Sequence, residues 1–255
     1  IMHLAKSLEE ARKNKIGIPQ WSLTIKDFSS EDAYKVLWEG IELRLSAGEE
    51  IVALKMGLTS EAKRKQMNLH SPLYGVLTNQ MKISNGGIFH QSLTIHSKIE
   101  PEIAFLIKEN ITTPITLEEV PQYIEAYAPA LEILDSRYEE FKYFSFQDVV
   151  ADNSSSSHFV IGEWKKDIDP SHLKNLKLVM STDQGACEQG TLAAINGDPL
   201  VSLVQLSELM SKRDYPIKKG MIVLAGAATA AIALEGKMKV ILEMEGFSPM
   251  MVHIE

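Results

Sequence analysis

The period of apolar positions changes near residue 50. Before it, Leu4, Leu8 and Ala11 recur at helical spacing and stop at the Gly17–Pro19 breaker. A second helical pattern follows in SSEDAYKVLWEGIELRLSAG, with Ala33, Val36, Leu37, Ile41 and Leu45 as its apolar stripe. Ser29 or Ser30 can cap this helix, acidic residues fill its first turn, and Gly48 can end it. From Ile51 onward the period shortens to two, or to unbroken apolar runs. These strand patterns cover 51–57, 99–107, 130–136, 158–162, 176–183, 221–224 and 238–245. One further helical pattern, PLVSLVQLSELMSKR, interrupts them, and NGG (85–87), NGD (196–198) and KKG (218–220) mark turns. Helices first and strands afterwards predict an α+β fold. Residues 1–70 are expected as a helical N-terminal lobe packed on a β-rich sandwich or roll of residues 71–255, the two forming one continuous unit.

Composition narrows the partners. The 255 residues suffice for one large domain, and 45% hydrophobic with 24% charged content is that of an ordinary globular protein. A net charge of −8 argues against nucleic acid as a partner. The single cysteine, Cys187, excludes an intrachain disulfide and fits a reducing, cytoplasmic setting. The first twenty residues lack a signal peptide's apolar core, and no run approaches the roughly 18 apolar residues of a membrane span.

Carboxylates in apolar surroundings carry the candidate chemistry. In SKIEPEIAFLI the two-residue period puts Glu100 and Glu102 on one strand face. An isolated E-x-E is ordinarily a solvated face. Here Pro101 cannot donate to a ladder and so belongs at an edge or irregular site, while the following IAFLI suggests burial on both faces. A third carboxylate, Glu132, stands between Leu131 and Ile133 in PALEILDSRY. Burying it unpaired would cost on the order of several kcal/mol, so it must be protonated, paired with a cation such as Arg137 or Lys55, or bound to a metal. Three such carboxylates offer hard oxygen ligands of the kind Mg²⁺ or Mn²⁺ takes, and no His or Cys spacing suggests zinc. Lys55 is a lone cation in IVALKMGL, either snorkelling to solvent or facing the carboxylates. The polar run in VADNSSSSHFVIG can cap a turn or bind a substrate carboxylate. Nucleotide-binding glycine patterns and a G-x-S-x-G elbow are absent.

Four segments in order, ALKMGLTS, KIEPEIAFLI, PALEILDSRY and VADNSSSSHFVIG, resemble the 2-keto-4-pentenoate hydratase and 4-oxalocrotonate decarboxylase group of the fumarylacetoacetate hydrolase superfamily. The likeness continues through GDPLVSLVQLSEL and KKGMIVLAGAATAAIALEGKMKVILEMEGF and covers nearly the whole chain. Each motif is short; their order is what makes the resemblance specific. It implies that fold, with Mg²⁺ or Mn²⁺ held by Glu100, Glu102 and Glu132, and Lys55 as the catalytic residue facing the bound substrate. The group's DN-x-S-S segment falls on Asp152, Asn153, Ser155 and Ser156, with Ser154 at the variable position. Substrate contacts are implied for Asn153, Ser155, Ser156, Leu73 and Thr229.

Two segments bear on the reaction. The hydratase branch reads roughly Q-P-D-F-G where this chain has SPLYG, so Leu73 replaces an acid. Hydration needs a base to direct water, and leucine offers none. LAGAATAA (224–231) likewise resembles the decarboxylase branch rather than the hydratases' S-G-S-F-T. The resemblance therefore implies metal-dependent decarboxylation of 2-oxo-3-hexenedioate (4-oxalocrotonate) to 2-hydroxypenta-2,4-dienoate and CO₂, in catabolism of aromatic compounds by meta-cleavage. It implies an oligomer and a partner hydratase from the same pathway. Three other readings stay open: a hydratase of 2-hydroxypenta-2,4-dienoate, a non-catalytic metal-binding subunit of a hydratase complex, and a metal-dependent C–C hydrolase.

Overall fold

The computed structural model describes residues 1–60, 64, 71–141 and 145–255. Two helices open the chain, α1 (Met2–Asn14) and α2 (Ser30–Ser46). Ser29 caps α2, its side chain accepting from the Asp32 backbone N–H at 3.0 Å. The stripe of α2 is core: Ala33, Val36, Leu37 and Ile41 are buried. Five strands follow, β1 (Ile51–Gly57), β2 (Leu73–Thr78), β3 (Lys82–Ile83), β4 (Ile88–Phe89) and β5 (Lys98–Ile107). Next come α3 (Val120–Tyr123), β6 (Ile124–Leu134), α4 (Phe146–Ala151), β7 (Ser156–Ile161), β8 (Lys177–Thr182) and β9 (Cys187–Thr191). The chain closes with α5 (Leu200–Ser211), β10 (Ile222–Leu224), β11 (Ile232–Ala233), β12 (Met238–Met244) and β13 (Met250–Ile254).

The strands form two sheets, one ordered β2-β1-β10-β5-β6-β7-β3 with β11 also on β5, the other β4-β13-β12-β8-β9. The larger sheet rolls on itself. One buried cluster joins Ala53 and Leu77 of β1 and β2 to Phe159 and Ile161 of β7, strands far apart in the sheet order. The inner face of this roll is narrow, and alanines fill much of it: Ala53, Ala104, Ala128 and Ala130. The outer face carries the larger core, where Leu54, Tyr74, Phe105 and Leu131 join Leu8 and Leu37 of the two helices. Tyr34 of α2 stacks on Tyr74 of β2 at 4.9 Å, and Trp38 Nε1 donates to the Tyr74 hydroxyl at 2.9 Å.

The α+β expectation holds: helices lead, and a strand-rich core follows. The expected boundary near residue 70 falls among 61–63 and 65–70, outside the described residues. β1, on its N-terminal side, already pairs with β2 and β10 in the main sheet, so the segment before that boundary is not helical throughout. Among the described residues no helix is long and apolar enough to cross a membrane.

Candidate functional site

Register brings the charged residues to one end of the roll. Paired residues in neighbouring strands share a face. Gly75, Lys55, Leu224, Ala104 and Ala128 form one such row across β2, β1, β10, β5 and β6. Glu102 and Glu100 precede Ala104 by two and four residues, so both point to this same inner face. Glu100 pairs directly with Glu132, which in turn pairs with Phe159 of β7. The three carboxylates therefore converge: each offers an oxygen, and these oxygens lie within 4.8 Å of one another. Pro101 sits at an irregular place in an inner strand. Between β10 and β11 the loop 225–231 replaces a strand beside β5, and Ala228 N–H donates to Pro101 O at 2.9 Å. The same loop supplies Gly226 N–H to Glu102 Oε2 at 2.8 Å.

Lys55 faces the carboxylates and is 3% exposed. Its Nζ lies 3.0 Å from Glu132 Oε1 and donates to Ser154 O at 2.6 Å. Of the two cations the sequence offers Glu132, Lys55 is thus its partner; Arg137 pairs with Asp152 instead. Room for the lysine comes from Gly75. A Cβ there would stand 2.9 Å from Lys55 Cε and 2.6 Å from Ser156 Oγ.

Ser154 belongs to an unusual turn. Asn153, Ser154 and Ser155 all have left-handed backbones, with φ of 49°, 55° and 56°. Each such residue costs roughly 1–2 kcal/mol when it is not glycine, less for asparagine, so contacts must hold the turn. The Asn153 amide is committed to that task. Its Oδ1 accepts from Val76 N–H and its Nδ2 donates to Val76 O, both at 2.8 Å. Ser156 Oγ donates to Asn153 O at 2.6 Å, and Ser155 O accepts from Asp135 N–H at 2.9 Å. Asn153 and Ser156 thus shape the lysine's anchor, a role that the sequence leaves open. The Ser155 side chain is buried in the same turn.

Leu73 is fully buried on the inner face opposite Gly57. A Cβ on Gly57 would meet Leu73 Cδ1 at 2.6 Å and Ser154 Oγ at 2.8 Å, so Leu73 forms an apolar wall beside the Ser154 turn. Thr229 lies in the loop that flanks Pro101, half-buried, with its hydroxyl donating to Ala230 O at 2.9 Å. Sequence reasoning misses Gly226 as the donor to Glu102. Its φ of +121° and the contact that any Cβ would make with Thr59 both demand glycine, a signal hidden in an alanine-rich run.

The donor set fits a hard dication. Glu102 and Glu132 are sealed from solvent. Glu102 Oε1 and both Glu132 oxygens lack a hydrogen-bond partner among the described residues, and Lys55 meets Glu132 as an ion pair. Among the described residues Lys55 is the cation paired with Glu132, and one lysine does not balance the two buried carboxylates, Glu102 and Glu132. Burial first, then the Glu132 and Glu100 carboxylates, push Glu102 well above the usual carboxylate range, with Lys55 opposing. An all-oxygen cluster of this charge suits Mg²⁺ or Mn²⁺.

No family model matches the chain. A 4-oxalocrotonate decarboxylase of Pseudomonas sp. is 40% identical over 246 residues, 96% of this chain and 94% of the relative. A 2-keto-4-pentenoate hydratase of Paraburkholderia xenovorans is 30% identical over 91% of this chain and 86% of its own. Among solved structures, the 4-oxalocrotonate decarboxylase of Pseudomonas putida G7, complexed with magnesium and adipate, superposes with a TM-score of 0.95 at 34% identity, covering 100% of this chain and 97% of that one. Identity and coverage at this level, on both chains, mean that this chain belongs to the family of 4-oxalocrotonate decarboxylases and 2-keto-4-pentenoate hydratases.

Proposed function

We propose that this chain is a metal-dependent carboxy-lyase that converts 2-oxo-3-hexenedioate to 2-hydroxypenta-2,4-dienoate and CO₂ in meta-cleavage catabolism of aromatic compounds. Glu100, Glu102 and Glu132 hold Mg²⁺ or Mn²⁺, with Gly226 N–H fixing the Glu102 carboxylate. The bound cation supplies Lewis-acid polarisation of the substrate's 2-oxo group. The substrate is a vinylogous β-keto acid. Its C5–C6 bond breaks, the electron pair moves through the C=C bond to the 2-oxo oxygen, and a proton completes the dienol. Lys55 places a fixed ammonium beside the carboxylate cluster, where it opposes the negative charge that grows on that oxygen. Asn153, Ser155 and Ser156 line the turn that orients this ammonium, and Thr229 stands on the loop beside Glu100 and Glu102.

The observation that carries decarboxylation over hydration is Leu73. Water addition needs a base on the inner wall, and this buried leucine leaves that wall apolar beside the lysine turn. The decarboxylase relative's higher identity supports the same choice. Hydration is the second reading, favoured by the hydratase relative. The proposed product is the enol of 2-keto-4-pentenoate, so a hydratase would act next, which supports a hydratase as complex partner within an oligomer.

The two activities are separated by offering each substrate alone with Mg²⁺. Release of CO₂ from the dicarboxylate, with the dienoate left untouched, is the expected pattern. Hydration of the dienoate without CO₂ release would replace this reading with the second. Metal binding with neither activity would make the chain a non-catalytic subunit.

A further inference from the structure

We infer that Arg137 and Asp152 are positioning residues for Lys55, an inference that rests on the proposed role of that lysine. The anchor of Lys55 Nζ is a backbone carbonyl, Ser154 O, at 2.6 Å. Its direction depends on three successive left-handed residues, two of them serines with no preference for that conformation. Something outside the turn has to impose it. Val76 holds its first residue through the Asn153 amide, and one guanidinium bridges the turn's two ends. Arg137 Nη2 donates to Asp152 O, just before the turn, and Nη1 donates to Ser156 O, just after it, at 2.8 Å. Nε donates to Asp152 Oδ1, and the Arg137 backbone N–H donates to Asp152 Oδ2 at 3.1 Å. Both residues are buried, Arg137 5% and Asp152 2% exposed.

The clamp also ties the site's two halves together. Arg137 follows the end of β6, the strand that carries Glu132, and Asp152 follows α4. The strand that aims Glu132 and the turn that aims Lys55 are therefore fixed to each other by one planar, five-donor fork. A lysine at 137 would keep the charge and lose the fork. Neither Arg137 nor Asp152 belongs to the carboxylate cluster, so their effect on the reaction passes through the ammonium.

The test is a double-mutant cycle of Arg137→Lys with Lys55→Ala, read as kcat and KM for 2-oxo-3-hexenedioate, with calorimetric Mg²⁺ affinity and thermal melting recorded alongside. In the Lys55 background, Arg137→Lys is expected to lower kcat on the order of 10²-fold through misplacement of the ammonium, with KM and Mg²⁺ affinity unchanged. In the Lys55→Ala background the same substitution is expected to change kcat no further. A clamp that is merely structural would lower the melting temperature and leave kcat per folded molecule intact, or would multiply its effect with that of Lys55→Ala; either result overturns the proposal. Should Arg137→Lys not fold, Asp152→Asn, which keeps an acceptor for Nε, replaces it in the same cycle. Full turnover by Lys55→Ala alone would refute the role of Lys55, and the clamp's role would fall with it.

Discussion

At the residue scale the lysine is the sharpest case. Lys55 is buried, 3.0 Å from Glu132 and 2.6 Å from Ser154 O, so it is not a snorkelling surface residue. Lys55→Ala is expected to lower kcat on the order of 10²–10³-fold while far-UV circular dichroism stays that of the native fold. Turnover near that of the unaltered protein would contradict the assignment. The three glutamates are legible in the sequence because alternation puts Glu100 and Glu102 on one face and apolar neighbours enclose Glu132. The partner of Arg137 is not. Fifteen positions along the chain separate it from Asp152, and no periodicity reports that the two meet.

At the scale of elements, β2 is the informative miss. LYGVLT is buried along its whole length, so it shows no alternation, and Gly75 interrupts its apolar run. That glycine is a matter of space rather than of backbone angle. A methyl group there would meet Lys55 Cε, Asn153 O and Ser156 Oγ, all within 2.9 Å. Gly75→Ala is therefore expected to cost about 1–3 kcal/mol of stability by overpacking, and to reduce turnover beyond that loss because the lysine and its turn both shift. Urea denaturation and kcat, measured on one preparation, separate the two effects. The helices, by contrast, read directly from the sequence: the stripe of α2 and its Ser29 cap are both local signals. The rolling of the sheet depends on contacts between β2 and β7, which no local pattern records.

At the scale of the whole molecule, the carboxylate cluster sets stability against pH and metal. Glu102 titrates above its unfolded-chain value, so at intermediate pH the metal-free folded chain holds a proton that the unfolded chain has lost. Its contribution to stability is present below the ordinary carboxylate range and is lost as pH rises through the raised pKa. Melting of the metal-free protein should accordingly shift upward on mild acidification from about pH 8. Mg²⁺ at about 100 times its dissociation constant should add about 2.7 kcal/mol, and its effect should shrink as protons compete for the carboxylates. A Mg²⁺ effect on melting that is independent of pH would count against a protonated Glu102 in the metal-free state.

The reaction itself is tested most directly by CO₂ release from 2-oxo-3-hexenedioate, followed while Mg²⁺ is removed with a chelator and then restored. One CO₂ per molecule of 2-hydroxypenta-2,4-dienoate is expected, abolished by the chelator, recovered with Mg²⁺, and absent in Glu132→Gln at the same metal concentration. CO₂ release that persists without metal or in Glu132→Gln, or no release with metal bound, would contradict the assignment of this cluster to decarboxylation.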